Sequence, residues 1–329
     1  MLTIFSVPKA FAGHTAIIQD NAIGSWTRLA QPCDIVLFGD DPGVAEAAVR
    51  HKVQHEPRIG RNEFGTPVIA DLFARMDALA RRPLLAFVNA DIILLDDFLP
   101  AVEAIVHSRR TPLPLIPAQA GIQTYREGGN VPGSPLSRGR AESTEPALPA
   151  AQGRFLAVAS RFNCRIDAPL AFEPGWDARL RARARKENRM YPAAGSDLFV
   201  YPRGLFAAVP PFAIGRGYWD NWLMREARRR GGDLIDMTAA VTAVHHVHTY
   251  DTVAGLPAGG ASDSHVYETE EGRRNLALAG GRARLYTVYD ANRIMRPERT
   301  LRPAWRPSLF FRPAKASLRR LRARLQQHA

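Results

Sequence analysis

Asp91 and Asn89 are the first side chains whose positions suggest chemistry, because they directly follow the apolar run LLAFV. Such a run predicts a buried strand, and ligands of an α/β sheet gather where its strands end. A carboxylate at this place can hold a divalent cation that neutralises a diphosphate, and Asn89 can donate to a ribose or a phosphate. The alternative interpretation is that Asp91 only caps the following turn.

A histidine cluster lies in the later segment AVHHVHTY. Strand alternation would place His246 and His248 on one face and His245 on the other. Two imidazoles without a third nearby ligand do not make a zinc site. If Asp91 and His248 meet at one cation, the arrangement suits a metal-bridged diphosphate; otherwise the histidines are polar residues satisfied at a strand end.

The segment YWDNWL combines aromatic and polar side chains at the start of a predicted helix. Trp219 and Trp222 offer flat faces that can stack on sugar rings, and Asn221 supplies a hydrogen-bond donor and acceptor. Asp220 is a candidate general base, since one carboxylate within reach of an acceptor hydroxyl suffices. Alternatively, the segment is a buried aromatic helix start in which Asp220 serves as a cap.

Asp40 and Asp41 end a second predicted strand, where open α/β sheets often hold a nucleotide ribose or base edge. The sequence GDDPG is also typical of an ordinary turn. The chain contains no GxxxxGKS/T, GxGxxG, GxSxG or HExxH motif. These absences remove support for P-loop, common dehydrogenase, hydrolase-elbow and zincin chemistry.

The order of apolar segments around these residues predicts an α/β fold. LTIFSV, DIVLFGDD and LLAFVNADIIL are predicted strands, and helical spacing predicts helices over about Thr15–Leu29 and Thr66–Ala80. Downstream, the predictions are a strand or hairpin for RFLAVASRFNCRID, a strand in GSDLFVYP, a helix over Trp219–Arg230 and one more strand for LIDMTAAVTAVHHVHTY. Alternating strands and helices are typical of a sheet covered on both faces.

Residues 111–152 depart from this pattern, since they are rich in proline and glycine and poor in large apolar side chains. A stretch of this length without periodicity predicts a disordered insertion.

The composition is that of a globular protein of a reducing compartment. The 329 residues are 46% hydrophobic, and two cysteines cannot form a disulfide framework or a cysteine-rich zinc site. No run approaches the about 18 apolar residues of a membrane span. Most of the net charge of +12 comes from residues 296–329, which carry ten Lys and Arg against one acid.

The same tail places Leu318, Leu321 and Leu325 on one stripe of a predicted helix whose other faces carry arginines. This pattern is typical of an anchor to an anionic membrane surface. The alternative is a solvated helix docked by its leucines. Specific nucleic-acid binding is not expected, because no zinc-finger or RNA-binding motif is present.

Taken together, the ordered segments resemble the nucleotide-diphospho-sugar transferases of the GT-A fold, a glycosyltransferase-like family. The matching segments are LTIFSVPKAF, VLFGDD, NEFGTPVIADLF, FVNADIILLDDF, GSDLFVYPRGLF with PPFAIGRGYWDNWL, and AVHHVHTY. The resemblance implies a Rossmann-like mixed sheet flanked by helices and a nucleotide-sugar donor. It also implies Mn²⁺ or Mg²⁺, held by a D-x-D motif and a later histidine.

Matched by position, the resemblance gives Asn89 and Asp91 the two places of the D-x-D motif, and His248 that of the later histidine. Asn89 instead of an acid weakens the expectation of metal binding. Asp220 takes the place of the acceptor-binding or base carboxylate. The substrate-binding residues implied by the matched segments are Pro8, Lys9, Asp40, Asp41, Asn89, Asp197, Trp219, Asn221 and Trp222. The expected reaction moves a sugar to the hydroxyl of a glycan or lipid-linked acceptor, in surface glycan or polysaccharide synthesis.

Five parts of the chain follow from these segments. They are a nucleotide-binding half over residues 1–110, the disordered insertion over 111–152, an acceptor- and metal-binding half over 153–252, peripheral helices and loops over 253–295, and the basic amphipathic tail over 296–329. The expected location is cytoplasmic, at the inner membrane face if the tail binds lipid.

Three other functions are compatible with the sequence. A sugar-phosphate nucleotidyltransferase shares the sheet, but FSVPKAFAGH lacks the glycine- and Arg/Lys-rich loop that it needs after the first strand. A protein of the same fold that has lost catalysis would bind a nucleotide or glycan without turnover. A nucleic-acid-binding role of the tail would show a steep salt dependence of DNA affinity.

Overall fold

The computed structural model describes residues 1–110, 153–187, 190, 195–247 and 267–304. The predicted insertion over 111–152, His248 and the tail after residue 304 lie outside the described residues. In the part of the chain that is described, no helix is long and apolar enough to cross a membrane.

Twelve strands form two sheets in these residues. The strands are β1 (Leu2–Ser6), β2 (Asp34–Phe38), β3 (Gln54–Glu56), β4 (Leu84–Val88), β5 (Ile92–Ile93), β6 (Phe155–Val158), β7 (Arg161–Cys164), β8 (Leu198–Pro202), β9 (Asp233–Asp236), β10 (Ala243–His246), β11 (Arg293–Met295) and β12 (Leu301–Pro303). Nine of them form a large sheet in the order β12-β11-β9-β6-β8-β4-β1-β2-β3, and the others form a small sheet in the order β5-β10-β7.

Seven α-helices accompany the sheets over the described ranges. They are α1 (Gly13–Trp26), α2 (Val44–His51), α3 (Ile69–Leu79), α4 (Phe98–Arg110), α5 (Trp176–Glu187), α6 (Trp219–Arg229) and α7 (Glu270–Leu278). The predicted α/β fold, a mixed sheet flanked by helices, is confirmed.

The large sheet is buried on both faces because its strands alternate between two hydrophobic cores. In β4, Leu84, Ala86 and Val88 belong to one core, and Leu85 and Phe87 belong to the other. Helices α1, α2 and α4 contribute to the first core, and α3 and α6 contribute to the second. A strand covered on both faces has only its ends left for polar function.

The direction of strand β8 determines which strand ends of the large sheet lie next to each other. The strands β3, β2, β1 and β4 are parallel, whereas β8 runs antiparallel between β4 and β6. The last residue of β4 therefore faces the first residue of β8, with Val88 paired to Leu198. The residues before β8 consequently lie beside the residues after β4, and a bond from the Asn89 backbone N–H to the Asp197 carbonyl oxygen (3.0 Å) continues the ladder.

Two apolar runs predicted as continuous strands are divided between the two sheets. LLAFVNADIIL forms β4 in the large sheet and β5 in the small one, because the chain turns at Asn89–Asp91. LIDMTAAVTAVHHVHTY is likewise divided into β9 and β10. RFLAVASRFNCRID forms β6 and β7, which are not paired with each other as a hairpin.

Candidate functional site

The site is built where β1, β4 and β6 end and β8 begins. Four loops or helix starts meet there: the turn after β4, the segment before β8, the start of α6 and the loop after β1. These segments come from separate regions of the sequence, and the strand order of the large sheet brings them together.

Asp197 ties the turn after β4 to the strand β7. Asn89 Nδ2 donates to Asp197 Oδ1 (2.6 Å), and Arg161 Nη1 forms an ion pair with the second carboxylate oxygen. Both Asp197 and Arg161 have side chains that are mostly buried. Asp197 therefore orients the turn, and the amide donor of Asn89 is used inside the protein.

Asp220 lies in the first turn of α6, against the segment before β8. Its Oδ1 is buried and has no hydrogen-bond partner among the described residues, although the residue as a whole keeps some exposure. Burial raises the pKa of Asp220 to about 7, and the negative charge of Asp197 acts in the same direction. The backbone N–H groups of Asn221 and Ser196 act against this rise. A carboxyl group with this pKa can accept a proton near neutral pH.

The loop before α6 has a backbone conformation that few sequences allow. Gly215 and Gly217 have positive φ angles, and so does Tyr218, with a φ of 67°. A non-glycine residue in this left-handed region costs about 1–2 kcal/mol. The ring of Tyr267 lies where a Cβ on Gly217 would be, so only glycine fits there.

Asn275 of α7 holds this loop in place. Its Oδ1 accepts from the Ala213 backbone N–H (3.0 Å), and its Nδ2 donates to the carbonyl oxygens of Ala213 (2.9 Å) and Gly217 (3.0 Å). Asn275 is fully buried. These three bonds position the chain that leads directly into Asp220.

Asp91 lies beside His245. Asp91 Oδ2 is 3.5 Å from His245 Nε2, and His245 Nδ1 is 3.0 Å from Asn163 Oδ1. His246 is buried on the other face, with Nε2 3.2 Å from Asn21 Nδ2. The predicted partner of Asp91, His248, lies outside the described residues, and the histidine that meets Asp91 within them is His245.

The described residues contain no group of three or more His, Cys, Asp or Glu side chains arranged to hold a metal ion. The Asp91 carboxylate is nevertheless partly exposed at the edge of the sheet. Mg²⁺ typically keeps several waters and is held by one or two carboxylates together with substrate phosphates. Asp91 fits that requirement.

Trp219, Asn221 and Trp222 lie at the start of α6, as predicted, but their side chains are buried in the protein. Trp219 packs against Phe87 and Phe199, with each pair of ring centroids 5.3 Å apart. Trp222 is likewise buried in the core. Asn221 Nδ2 donates to the Tyr286 carbonyl oxygen (2.6 Å). The prediction that the indoles stack on a sugar is therefore corrected, because their faces are covered by the protein.

Asp40 and Asp41 both bind the guanidinium of Arg61, a residue that the sequence analysis did not single out. Arg61 Nη2 donates to Asp40 Oδ1 (2.8 Å) and to Asp41 Oδ2 (2.7 Å). The hydrogen bond from Arg61 lowers the pKa of Asp40 from its usual value. One guanidinium thus orients both carboxylates at the end of β2. Pro8 is buried, whereas Lys9 next to it is exposed.

Several solved structures resemble this fold. One is the crystal structure of residues 1–349 of TarS from S. aureus in complex with UDP-GlcNAc, with 9% identity, 84% of this chain and 66% of that chain covered, and a TM-score of 0.44. Another is glucosyl-3-phosphoglycerate synthase from Mycobacterium tuberculosis in complex with Mg²⁺ and UDP (14% identity, 85% and 80% covered, TM-score 0.40). The same synthase with Mn²⁺, UDP-glucose and phosphoglyceric acid gives 15% identity and a TM-score of 0.42.

The chain spans just under two thirds of the TarS fragment. Each of these structures holds UDP or a UDP-sugar, and the likeness to this chain is one of fold. No family model matches the sequence. No curated protein matches it either.

Proposed function

We propose that the protein transfers a sugar from a nucleoside diphosphate to an acceptor hydroxyl. The observation that supports this function most is Asp220, a buried carboxyl group with a pKa of about 7 at the edge of the sheet where ligands bind. General bases are most effective when their pKa lies near the working pH.

In the reaction, ionised Asp220 accepts the proton of the acceptor hydroxyl. The acceptor oxygen forms the new bond to the anomeric carbon, and the bond from that carbon to the diphosphate oxygen breaks. The leaving diphosphate carries away the electron pair of the broken bond. Asp197, fixed by Asn89 and Arg161, keeps a second negative charge near Asp220 and so helps to maintain its affinity for a proton.

A divalent cation would be held by Asp91 together with the phosphates of the donor. When bound, Mn²⁺ or Mg²⁺ would neutralise charge that develops on the departing diphosphate. In this proposal the Asp40–Arg61–Asp41 group, at the end of β2, binds the ribose or base edge of the donor, as strand ends do in open α/β sheets.

The acceptor belongs to surface glycan or polysaccharide synthesis in this proposal, and the basic tail brings the enzyme to an anionic membrane surface. Because β12 ends at Pro303 in the large sheet, a chain ending at Ala304 removes the rest of the tail and leaves that strand intact. This variant should lose binding to phosphatidylserine vesicles and keep its fold. Equal vesicle binding by both chains would contradict the tail proposal.

The transfer proposal is tested with purified protein and UDP-, GDP-, CMP- and dTDP-sugars, each with and without Mn²⁺. Thermal shift identifies the donor class, and release of the nucleoside diphosphate measures turnover. Asp220→Asn should keep donor binding and lose turnover by about 10²–10⁴-fold. The control is Glu46→Gln, an exposed carboxyl group on α2. Donor binding without turnover by the parent protein would instead support a binding protein that has lost catalysis.

A further inference from the structure

A surface pocket of about 370 Å³ lies between the end of α1, the segment after β5 and the start of α5. We call it the α1–α5 pocket. Three buried residues, Ser25, Leu94 and Leu95, contribute to its lining, and Ser25 Oγ accepts from the Leu94 backbone N–H (3.0 Å). Small-molecule sites typically have volumes of about 300–1,000 Å³. The α1–α5 pocket therefore has room for a small ligand, and it contains none of the residues assigned to the candidate site.

Two half-buried aromatic rings line the pocket, those of Phe172 and Trp176. Their centroids are 4.9 Å apart, and the angle between their planes is 83°. Phe172 is held against α1, because a Cβ added at Gly24 would come within 2.8 Å of its ring. The pocket thus offers fixed, partly exposed apolar surface to a ligand.

Charged groups of both signs surround these rings. The Arg28 guanidinium lies 4.0 Å from the centroid of the Phe172 ring, and its Nη1 donates to the Gly24 carbonyl oxygen (2.9 Å). Glu173 and Asp177 also line the pocket, and neither carboxylate forms an ion pair or a side-chain hydrogen bond within the part of the chain that the structure describes. An anion would be repelled by the two carboxylates, and a cation would be repelled by Arg28. A neutral ligand meets neither repulsion.

The hydrogen-bonding groups of the pocket suit hydroxyls. A carboxylate can only accept, so Glu173 and Asp177 require donors from the ligand. The indole Nε1 of Trp176 can only donate. Among the described residues it has no acceptor, and it is not one of the buried atoms without a partner, so solvent reaches it. A hydroxyl group both donates and accepts, and a sugar ring combines a rim of hydroxyls with apolar C–H faces that pack on aromatic rings.

The pocket is a close neighbour of the candidate site. Asp91 is followed directly by β5, and Leu94, which lines the pocket, comes directly after β5. Because each residue adds at most about 3.6 Å, the Cα of Leu94 lies within about 11 Å of the Cα of Asp91. A ligand in the pocket is therefore near the place proposed for the diphosphate.

We infer that the α1–α5 pocket binds a neutral sugar unit, at a place separate from the sugar that the donor carries. In the transfer reaction this unit is part of the glycan acceptor, at a position other than the reacting hydroxyl. That role rests on the proposed function, whereas the binding of a neutral sugar does not.

The test measures binding of glucose, galactose, mannose and N-acetylglucosamine to the full chain by calorimetry and saturation-transfer NMR. At least one of them should bind with the millimolar affinity expected of a small neutral ligand. Asp177→Asn keeps the shape of the side chain and removes its charge. It should weaken this binding at least about tenfold, as expected for a hydrogen bond to a charged group. Trp176→Phe keeps an aromatic ring without the N–H and should weaken it about 3- to 10-fold.

The matched control lies on the same helix. Glu187→Gln neutralises a carboxylate that pairs with Arg183 at the other end of α5, outside the pocket, and should leave the sugar affinity unchanged. Saturation with UDP, and the variant Asp220→Asn, should also leave it unchanged, because both act at the candidate site. Glucuronate should bind more weakly than the neutral sugars.

Four results would overturn the inference. They are no binding of any of the four sugars by the parent protein, equal affinity of Asp177→Asn and the parent, displacement of the sugar by UDP, and tighter binding of cationic glucosamine than of every neutral sugar. The third result would place the sugar at the donor site, and the fourth would assign the pocket to amines.

Failure of the proposed function gives a different result. A protein that binds a neutral sugar through Asp177 but turns over no nucleotide-sugar keeps the pocket and loses the transfer reaction. A protein that transfers sugar through Asp220, and whose affinity for neutral sugars is unaffected by Asp177→Asn, keeps the reaction and loses the pocket.

Discussion

The Asp220 carboxylate lies directly against the backbone of Gly195. A Cβ added at Gly195 would overlap with Asp220 Oδ2, although the φ angle of this glycine is not in the left-handed region. Close approach to Asp220, and not backbone conformation, therefore requires glycine at this position. The same approach removes water from one side of the carboxylate, in agreement with burial as the main cause of its raised pKa.

Gly195→Ala should therefore lower kcat by more than its loss of stability alone would explain. The added methyl group displaces either Asp220 or the segment before β8, and overpacking of this kind costs about 1–3 kcal/mol. We expect kcat to fall at least about tenfold, since misplacing a catalytic group by about 1 Å can cost 10²-fold. The control is Gly281→Ala, which has a positive φ and no atom near its added Cβ. Equal activity losses in the two variants would contradict this prediction.

The pH dependence of catalysis should follow Asp220. Only the ionised carboxylate accepts a proton, so kcat/KM should rise with pH and level off above the pKa of about 7. Steady-state rates between pH 5 and 9 measure the acid limb, which is the part of the profile where kcat/KM rises with pH. Asp220→Glu should retain some activity with a displaced limb. If the residual activity of Asp220→Asn still rose with pH around 7 as in the parent protein, the titrating group would not be Asp220.

Stability should change with pH in the opposite direction. The folded-state pKa of Asp220, about 7, lies above the ordinary aspartate value of 3.8, so the folded protein binds the extra proton between these values. Stability from this group is thus fully present below about pH 4 and is lost as pH rises through 7. Asp220→Asn should exceed the parent in stability at pH 8, by at most about 4 kcal/mol, and this advantage should shrink at pH 5. Urea denaturation at both values measures it.

Asn275→Ala should lower the pKa of Asp220 from a distance. Loss of its three bonds to Ala213 and Gly217 loosens the loop before α6 and admits water to the carboxylate. The acid limb of kcat/KM should then move to lower pH, with a reduced kcat. The matched control is Asn292→Ala, which removes bonds to Leu234 and Asp233 in β9. If both variants lose stability but neither shifts the limb, Asn275 is merely structural.

Metal dependence should require Asp91. Asp91→Asn preserves the shape of the side chain and removes the charge that a divalent cation needs. The additional thermal stabilisation that Mn²⁺ gives to the donor complex should disappear in this variant. Asp167→Asn, at an exposed carboxylate paired with Arg165, should retain it. Retention of the Mn²⁺ effect in Asp91→Asn would place the cation elsewhere.

Hydrophobic patterns predicted the strands β1, β2, β4 and β8 and the helices α1, α3 and α6, and the ends of β2 and β4 supplied candidate site residues. The patterns did not predict helices α2 and α4. They could not show that LLAFVNADIIL crosses from one sheet to another, because residues in both sheets are equally apolar. The side-chain types of Trp219 and Trp222 suit both a sugar and a core. Trp219 belongs to the core because it packs against Phe87 and Phe199, and both residues are distant from it in sequence.

The contacts that the sequence analysis missed are all long-range. Arg61, Arg161 and Asn275 are ordinary polar residues in the sequence, and their partners lie in other elements. Pairing a distant arginine with a given aspartate requires the strand order. Strand order in turn depends on β8, whose antiparallel direction no local pattern reveals.

The pairing of β4 with β8 also has a consequence for how the protein reaches its folded state. Val88 and Leu198 are separated by about 110 positions, so the edge of the sheet that carries Asp91, Asp197 and Asp220 closes only after a long-range search. Residues 111–152 lengthen the loop that must close. Loop entropy grows with the logarithm of length, and each doubling costs only about 0.6 kcal/mol. The extra chain therefore slows assembly of this edge more than it weakens the finished fold.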